Sequence, residues 1–235
     1  MQGLMCSAKG KGDMERFVMI DEISDGRMYT ADDLVKADAF GCRGCSWCCE
    51  NMCDTIVLDP YDIFQLSKNL NTSFAGLMLD GYIDIGLHDC LSMPNIKDKG
   101  KGCGFLSEQK RCTVHDFRPG ICRLFPLGRY YHDDTFSYIL QTHECMIEER
   151  NEVKVRDWLE IDDLPAYEEY VLKWHAFVKN LSNFMKEPAE PGVKRNIHIL
   201  FLKKFYETPY DTDKEFYPQI YARMKAWQDS SLRSE

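Results

Sequence analysis

The sequence has 235 residues, 44% of them hydrophobic, and carries a formal net charge of −9 with an isoelectric point near 5.2. This length and composition allow a packed core, while the acidic balance argues against a surface built to bind nucleic acid, because phosphate groups require positive faces. No stretch reaches the roughly eighteen apolar residues of a membrane span, and the N-terminus lacks the apolar segment of a secretory signal, so we expect a cytoplasmic protein without a membrane partner.

The first part of the chain predicts short elements. Residues 1–38 are polar and are expected to form an N-terminal arm that packs on the core. Asp59 can cap a helix whose first residue is Pro60, since proline fits the first helical position. Hydrophobic periodicity and turn residues predict, in order, a helix at 59–66, a short helix from Thr72, a strand at 82–87, a flexible loop at 97–102 and a strand at 136–140.

After residue 145 the pattern becomes helical. Asp163 can cap a helix in which apolar side chains recur at steps of three and four. That face consists of Tyr167, Tyr170, Val171, Trp174, Phe177, Val178 and Leu181. Pro188 and Pro191 end the helix, residues 197–202 fit a helix or a strand, and a second stripe runs from Phe216 to Trp227. We interpret both stripes as core packing and not as the lining of a cofactor pocket.

These patterns predict an α+β fold. Its first part is a small cysteine-cluster domain of short helices and hairpins that metal binding nucleates, and a helical C-terminal extension follows. The predicted division is residues 1–38 for the arm, 39–148 for the metal-binding domain and 149–235 for a helical region packed on it.

Eleven cysteines are far more than a chain of this length ordinarily contains. In a reducing compartment such a number indicates metal binding or catalysis, and the odd count and the adjacent pair Cys48–Cys49 fit a disulfide framework poorly. The strongest pattern is a run of three cysteines with two other residues between each and the next. A fourth cysteine directly follows the third. The candidate ligands are Cys42, Cys45, Cys48 and Cys49 of that run, and Cys103, Cys112, Cys122 and Cys145 farther along the chain.

Eight thiolates divide into two sets of four, the number required by two all-cysteine zinc sites or by two four-iron clusters. Adjacent side chains point in different directions, so Cys48 and Cys49 are expected to bind different metals. Each centre then needs cysteines from the distant segment, and the folding of residues 42–145 should depend on metal. The count fits zinc and iron–sulfur chemistry equally.

Basic side chains near the cysteines could offset the negative charge of four thiolates. Arg118 and Arg123, whose positions are restricted by Pro119, Cys122 and Pro126, are the main candidates, while Lys110 and Arg129 fit ordinary solvent-exposed positions equally well. His115 and His143 lie close to Cys112 and Cys145 in sequence. We expect these histidines to contact the metal ligands and not the metal itself. Cys53 could substitute as a ligand, whereas Cys6 and Cys90 lack partners at a useful spacing and are expected to be plain thiols.

At these residues the chain resembles the CxxCxxCC cysteine-cluster family of YkgJ-like proteins, described as a zinc- or iron-chelating domain. The resemblance rests on the run from Cys42 to Cys49, on Gly102 to Leu106, on Arg111 to Pro126 and on Cys145, about 105 residues in all. It implies that the eight cysteines are the chelators. Flagellin lysine N-methylase looks like a relative, which implies that some members modify protein side chains with a metal centre and S-adenosylmethionine. The three-cysteine CxxxCxxC motif of radical S-adenosylmethionine enzymes is absent here. Cys45 and Cys49 have the spacing of its first two cysteines, but Met52 stands where the third would be.

Two functions remain open from the sequence. The chain could be an iron–sulfur protein, with up to two 4Fe–4S clusters, that acts in redox chemistry or modifies proteins, as an oxidoreductase or a lysine methylase-like enzyme. Alternatively, it could be a zinc-stabilised binding module without catalytic activity. The expected partner is a protein substrate or a redox partner. A nonhaem iron enzyme is a weaker third alternative, because no facial triad spacing is evident.

Overall fold

A computed structural model describes residues 20–40, 45–100 and 102–231. Its secondary structure is α+β, as predicted, with three separate antiparallel strand pairs in the first part and long helices in the second. The helices are α1 (Ile20–Ile23), α2 (Trp47–Asn51), α3 (Pro60–Leu70), α4 (Phe74–Leu79), α5 (Gly120–Leu124), α6 (Val155–Leu159), α7 (Leu164–Lys186), α8 (Pro191–Leu202) and α9 (Phe216–Ser231). The strands are β1 (Leu34–Asp38), β2 (Ile83–His88), β3 (Leu91–Ile96), β4 (Leu127–His132), β5 (Thr135–Leu140) and β6 (Asn151–Lys154).

Two of the strand pairs are hairpins. β2 pairs with β3, Ile83 opposite Ile96, and β4 pairs with β5, Leu127 opposite Leu140. The β2–β3 connection consists of Asp89 and Cys90, both with positive φ, the backbone form that lets a two-residue turn follow the strand twist. The strands predicted at 82–87 and 136–140 are therefore confirmed as β2 and β5.

The described part of the arm packs on the core, as expected. Tyr29 is buried, and its backbone N–H and C=O both bond to Tyr138 of β5, at 2.8 and 2.9 Å. β1 pairs with β6, Val35 opposite Val153. A two-stranded sheet thus joins the chain before the cysteine-rich segment to the chain after it. The division into three segments stays a prediction.

Helix α3 begins as its sequence predicts. The Asp59 carboxylate accepts a hydrogen bond from the Asp62 N–H, and the Asp62 carboxylate accepts one from the Asp59 N–H, which is a reciprocal capping box. The next helix, predicted from Thr72, begins two residues later at Phe74, because Ser73 caps it by accepting from the Gly76 N–H.

The C-terminal helices enclose an aromatic core. Residues 197–202, ambiguous in the sequence, are helical and belong to α8, which continues into a π-helical turn at Lys203–Glu207. Trp174 of α7 stacks on Phe201 with 5.9 Å between ring centroids and meets Phe205 edge-on at 5.3 Å. The α7 stripe is buried, apart from the partly buried Leu181, which agrees with core packing. None of the helices in the described ranges is both long and apolar enough to cross a membrane.

Candidate metal centre

Seven of the eight candidate cysteines lie in the described residues, and all seven are partly buried. Cys48 and Cys49 are on the short helix α2, Cys45 precedes it, and Cys122 is on α5. Cys103, Cys112 and Cys145 lie in loops and turns. Cys42, which the sequence places with them, is outside the described residues.

A backbone contact joins the early run to the later cysteines. The Cys103 N–H donates to the Cys49 carbonyl oxygen at 2.7 Å. Gly102 allows the two backbones to come this close. Its φ is +104°, which suits glycine, and a Cβ at this position would lie only 2.7 Å from the Cys49 carbonyl oxygen. The Asp98 carboxylate shapes the same loop by accepting from the N–H groups of Gly100 and Gly102, at 2.6 and 3.1 Å.

A tight turn places Cys112 near Cys103. The Phe105 carbonyl oxygen accepts from both the N–H and the hydroxyl of Thr113, each at 2.9 Å, and Leu106 forms a β-bridge with Cys112. Phe105 is buried and stacks on Tyr82 with 4.7 Å between centroids. Phe105 therefore anchors the turn in the core, and Cys103 and Cys112 pack against the same core.

Helix α5, which carries Cys122, is held by α3 and α7. The Gly120 N–H donates to the Asp62 carboxylate at 2.8 Å, so the capping residue of α3 also fixes the start of α5. A Cβ on Gly120 would lie 2.1 Å from the Tyr167 hydroxyl oxygen, which leaves no room for any larger residue. Burial raises the pKa of the Asp62 carboxyl well above its usual value.

The thiols of α2, the turn and α5 are close enough to affect one another's ionisation. A hydrogen bond from the Cys49 thiol lowers the pKa of Cys48 to about 7, and the same bond raises the pKa of Cys49. The pKa of Cys122 is well above its usual value because the thiol is buried and because Cys103, Asp62, Cys112 and Cys48 lie nearby. We call Cys49, Cys103, Cys112 and Cys122 the inner set.

Three thiols line a second location. Cys45, Cys48 and Cys145 border a cavity of about 20 Å³, and we call them the outer set. The other walls are mostly apolar and comprise Ala39, Trp47, Phe125, Pro126, Met146, Ile147 and Trp158. Trp158 is 9% exposed, and its indole N–H is buried and has no hydrogen-bond partner in the part of the chain that the structure describes. Cys48 borders this cavity while its thiol contacts the inner set, so the two sets adjoin at α2.

Arg118 and Arg123 are the two arginines predicted to offset thiolate charge. Arg118 lies close enough to Cys112 to affect the pKa of its thiol. Its charge opposes the increase that burial produces in the pKa of Cys112. Its guanidinium donates to the His115 carbonyl oxygen at 2.8 Å and pairs with Glu160 at 3.1 Å. Arg123 donates to the carbonyl oxygens of Leu159 and Glu160, at 3.4 and 3.2 Å, and also to that of Asp116. Arg123 therefore connects α5 to the end of α6.

The remaining polar candidates have other environments. His115 lies beside the Arg118 guanidinium, and burial followed by that charge lowers its pKa. His143 is exposed, with φ of +66°. Lys110 pairs with Glu50 at 2.8 Å, whereas Arg129 is partly buried and packs over the rings of Phe136 and Tyr167.

The other cysteines divide differently from the sequence expectation. Cys90 is 5% exposed and disulfide-bonded, so the expectation of a plain thiol is wrong for this residue. Cys6 and the side chain of Cys53 lie outside what the structure describes.

Within the described ranges, no three histidine, cysteine, aspartate or glutamate side chains converge closely enough to hold a metal ion as they stand. The composition of the site nevertheless fits a thiolate-bound metal. Seven cysteines lie in two adjoining sets, a cation faces one of them, and a buried N–H donor beside the other has no acceptor among the described residues. Soft thiolate ligands select zinc, copper(I) or iron–sulfur clusters.

Sequence reasoning missed three residues of this site. Asp62 was considered only as part of a helix, although it also anchors α5. Gly102 was noted in the motif but not for its conformation. Trp158 stands eight residues after the last family residue and carries no sequence signal beyond its apolar character.

Comparison with known families gives a match for the cysteine-rich segment. Residues 41–150, somewhat less than half of the chain, match the model of the family CxxCxxCC, described as a "putative zinc- or iron-chelating domain". The match begins just before Cys42 and ends just after Cys145, so it contains both sets of thiols. The segment is thus similar to a family whose description is chelation of zinc or iron. No curated protein and no solved structure matches the chain.

Proposed function

We propose that the chain is an iron–sulfur protein with two four-thiolate centres formed by its CxxCxxCC domain. The observation that carries the proposal is the hydrogen bond between the Cys103 N–H and the Cys49 carbonyl oxygen, since it brings the early run and the late cysteines together before any metal is considered. The inner centre would use Cys49, Cys103, Cys112 and Cys122. The outer centre would use Cys42, Cys45, Cys48 and Cys145.

The outer set supports iron–sulfur chemistry through its spacing. In bacterial ferredoxins a C-x₂-C-x₂-C run supplies three ligands and a distant cysteine supplies the fourth. Here Cys42, Cys45 and Cys48 have the same spacing, and the distant Cys145 borders the cavity with Cys45 and Cys48. Cys49 is then free to serve the inner centre, which resolves the problem of two adjacent ligands.

The protein residues define what such centres could do. A bound four-iron cluster would supply one-electron transfer. Around it, Arg118 offsets negative charge near Cys112, and the apolar walls of the outer cavity limit water access, which influences a reduction potential. We therefore expect a role in redox chemistry, with a redox partner or a protein substrate, in the cytoplasm. The link to protein modification rests on the family resemblance alone.

A zinc-stabilised module is the second candidate, and one observation favours it. The outer cavity of about 20 Å³ accommodates a single water-sized sphere, which suits one ion without rearrangement of its walls. Two all-cysteine zinc sites would be closed to substrates, and the protein would act through binding.

Anaerobic purification with metal and sulfide analysis separates the candidates. The iron–sulfur proposal predicts a brown protein with about eight iron and eight acid-labile sulfide atoms per chain. A colourless protein with about two zinc ions would overturn the iron–sulfur assignment and leave the two tetrathiolate sites standing. A protein without bound metal would contradict both candidates.

Single replacements test the grouping of the ligands. Cys145→Ser and Cys112→Ser should each remove about half of the bound metal, and the double variant should remove nearly all of it. Cys48→Ser should resemble Cys145→Ser, whereas Cys49→Ser should resemble Cys112→Ser. Cys6→Ser is the matched control and should retain full metal content. If Cys48→Ser and Cys49→Ser abolish the same single centre, the two-centre proposal is wrong.

A further inference from the structure

Trp158 holds a hydrogen-bond donor that the described structure leaves unused. It lies on α6, between Val155 and Leu159, which are fully buried and fix the helix in the core. The indole N–H is shielded from solvent and has no acceptor within residues 20–40, 45–100 and 102–231. Burying a donor without an acceptor is unfavourable, and native proteins nearly always pair such groups. A group of this kind beside a ligand site indicates a partner that arrives with the ligand.

The surroundings of Trp158 narrow the identity of that partner. It lines the same cavity as Cys45, Cys48 and Cys145. Among the other side chains that form the walls, those of Ala39, Phe125, Pro126 and Ile147 contain no hydrogen-bond acceptor, and Met146 offers only a weak thioether sulfur. A cysteine sulfur becomes a strong acceptor when it loses its proton on binding a metal.

We propose that Trp158 is a positioning residue for the outer centre and donates its indole N–H to a metal-bound thiolate of Cys45, Cys48 or Cys145. This inference rests on the proposed function. The bond would place a partial positive charge against the thiolate and orient one wall of the cavity. Groups that contact metal ligands typically change metal affinity by about 10- to 100-fold when they are removed. Trp158 lies beyond the CxxCxxCC domain, so the helical region would complete a centre that the domain begins.

The indole resonances provide a direct test. The chain contains four tryptophans, so the full-length protein labelled with ¹⁵N gives four indole N–H signals, and the Trp158→Phe variant identifies one of them. Zn²⁺ alone serves as the probe, because it is diamagnetic and occupies thiolate sites. Adding Zn²⁺ under reducing, anaerobic conditions should shift the Trp158 signal. If about two Zn²⁺ bind and the Trp158 signal does not move, this inference is overturned while the proposed centres stand. If no Zn²⁺ binds, this inference falls, and the iron and sulfide analysis decides separately whether the proposed centres stand.

An isosteric replacement measures the effect on the metal. Site-specific incorporation of 3-benzothienylalanine at position 158 keeps the ring size and removes only the N–H. The outer centre should then bind Zn²⁺ about 10- to 100-fold more weakly in competition with a chelator, and the inner centre should not change. Trp174→Phe removes a buried indole from the aromatic core and is the control for general loss of packing. Unchanged affinity in the isosteric variant would contradict the role of Trp158.

Discussion

At the level of single residues, Gly102 decides how closely the late cysteines approach α2. Its positive φ suits glycine, and its missing side chain leaves space for the backbone of Cys49 and Glu50. Gly100, two residues earlier, also has a positive φ, of +77°, but a Cβ there would meet nothing within 4 Å. Both glycines therefore have a positive φ, but only Gly102 lies in close contact with another part of the backbone.

This difference gives a matched pair of substitutions. Gly100→Ala should cost about 1–2 kcal/mol of stability from backbone strain alone and should leave metal content unchanged. Gly102→Ala adds a collision with the backbone of α2 and should both destabilise the protein further and lower its metal content. Denaturant unfolding and metal analysis of both variants measure the two effects. Equal behaviour of the two variants would show that the approach of residues 98–103 to α2 is unimportant for the site.

The residues of the site were only partly predictable. The eight cysteines stand out in the sequence because thiolate ligands require a fixed side chain at a fixed spacing. Trp158 and Asp62 do not, because their roles arise from neighbours far away in sequence: the outer cavity for Trp158 and Gly120 of α5 for Asp62. Such pairings depend on the tertiary fold and leave no local pattern.

At the level of elements, Arg123 connects the helix that bears Cys122 to the end of α6. Its nearly buried guanidinium binds backbone carbonyl oxygens from Leu159, Glu160 and Asp116, with Glu160 as a nearby counterion. Each of these carbonyl groups would lose its partner if the side chain were shortened. Arg156 on α6 offers a contrast, because it pairs with Asp32 at an exposed position.

We expect Arg123→Ala to destabilise the protein by about 2–4 kcal/mol, since it removes several hydrogen bonds from a charged group and leaves the carbonyl oxygen of the buried Leu159 without that donor. Arg156→Ala should change stability by no more than about 1 kcal/mol, as is usual for exposed ion pairs. The free energy of unfolding from denaturant titration measures both. A cost for Arg123→Ala as small as that for Arg156→Ala would contradict the connecting role.

Elements with strong local signals were predicted and confirmed. α3 has its capping box and N-terminal proline, α7 has a long apolar stripe, and β5 alternates in a short run bounded by turns. The short helices α2, α5 and α6, of five residues each, were not predicted. Helices of this length do not form from propensity alone, so contacts made after folding, such as those of Gly120 with Asp62, stabilise them.

At the level of the whole molecule, the thiol-bearing segment and the C-terminal helices depend on different interactions. The core between α7 and the chain from α8 onward is built from ring contacts among Trp174, Phe177, Phe201 and Phe205. Around the thiols, short elements and loops predominate. Metal should therefore contribute unequally to the stability of the two parts.

Hydrogen exchange in the presence and absence of metal tests this expectation. In the metal-free protein, amide protons of residues 103–124 should exchange faster than in the loaded protein, because the chelated thiolates no longer restrain their loops. Amide protons in the centre of α7 should keep their protection. Mass spectrometry of peptic fragments measures both regions in one experiment. Equal loss of protection in both regions would mean that metal binding and folding of the entire chain form a single step.

Because Cys48 and Cys49 are adjacent, the two proposed centres would influence each other when they bind metal and when they gain or lose electrons. Consecutive residues of α2 would belong to different centres, and their thiols are already in hydrogen-bond contact. Each four-thiolate centre carries a charge of about −2. Negative charge gained by one centre would therefore make it less favourable for the other centre to gain negative charge. The two centres would show negative cooperativity in reduction. Two electrons would enter at separate potentials, which suits a protein that exchanges them singly with its partner.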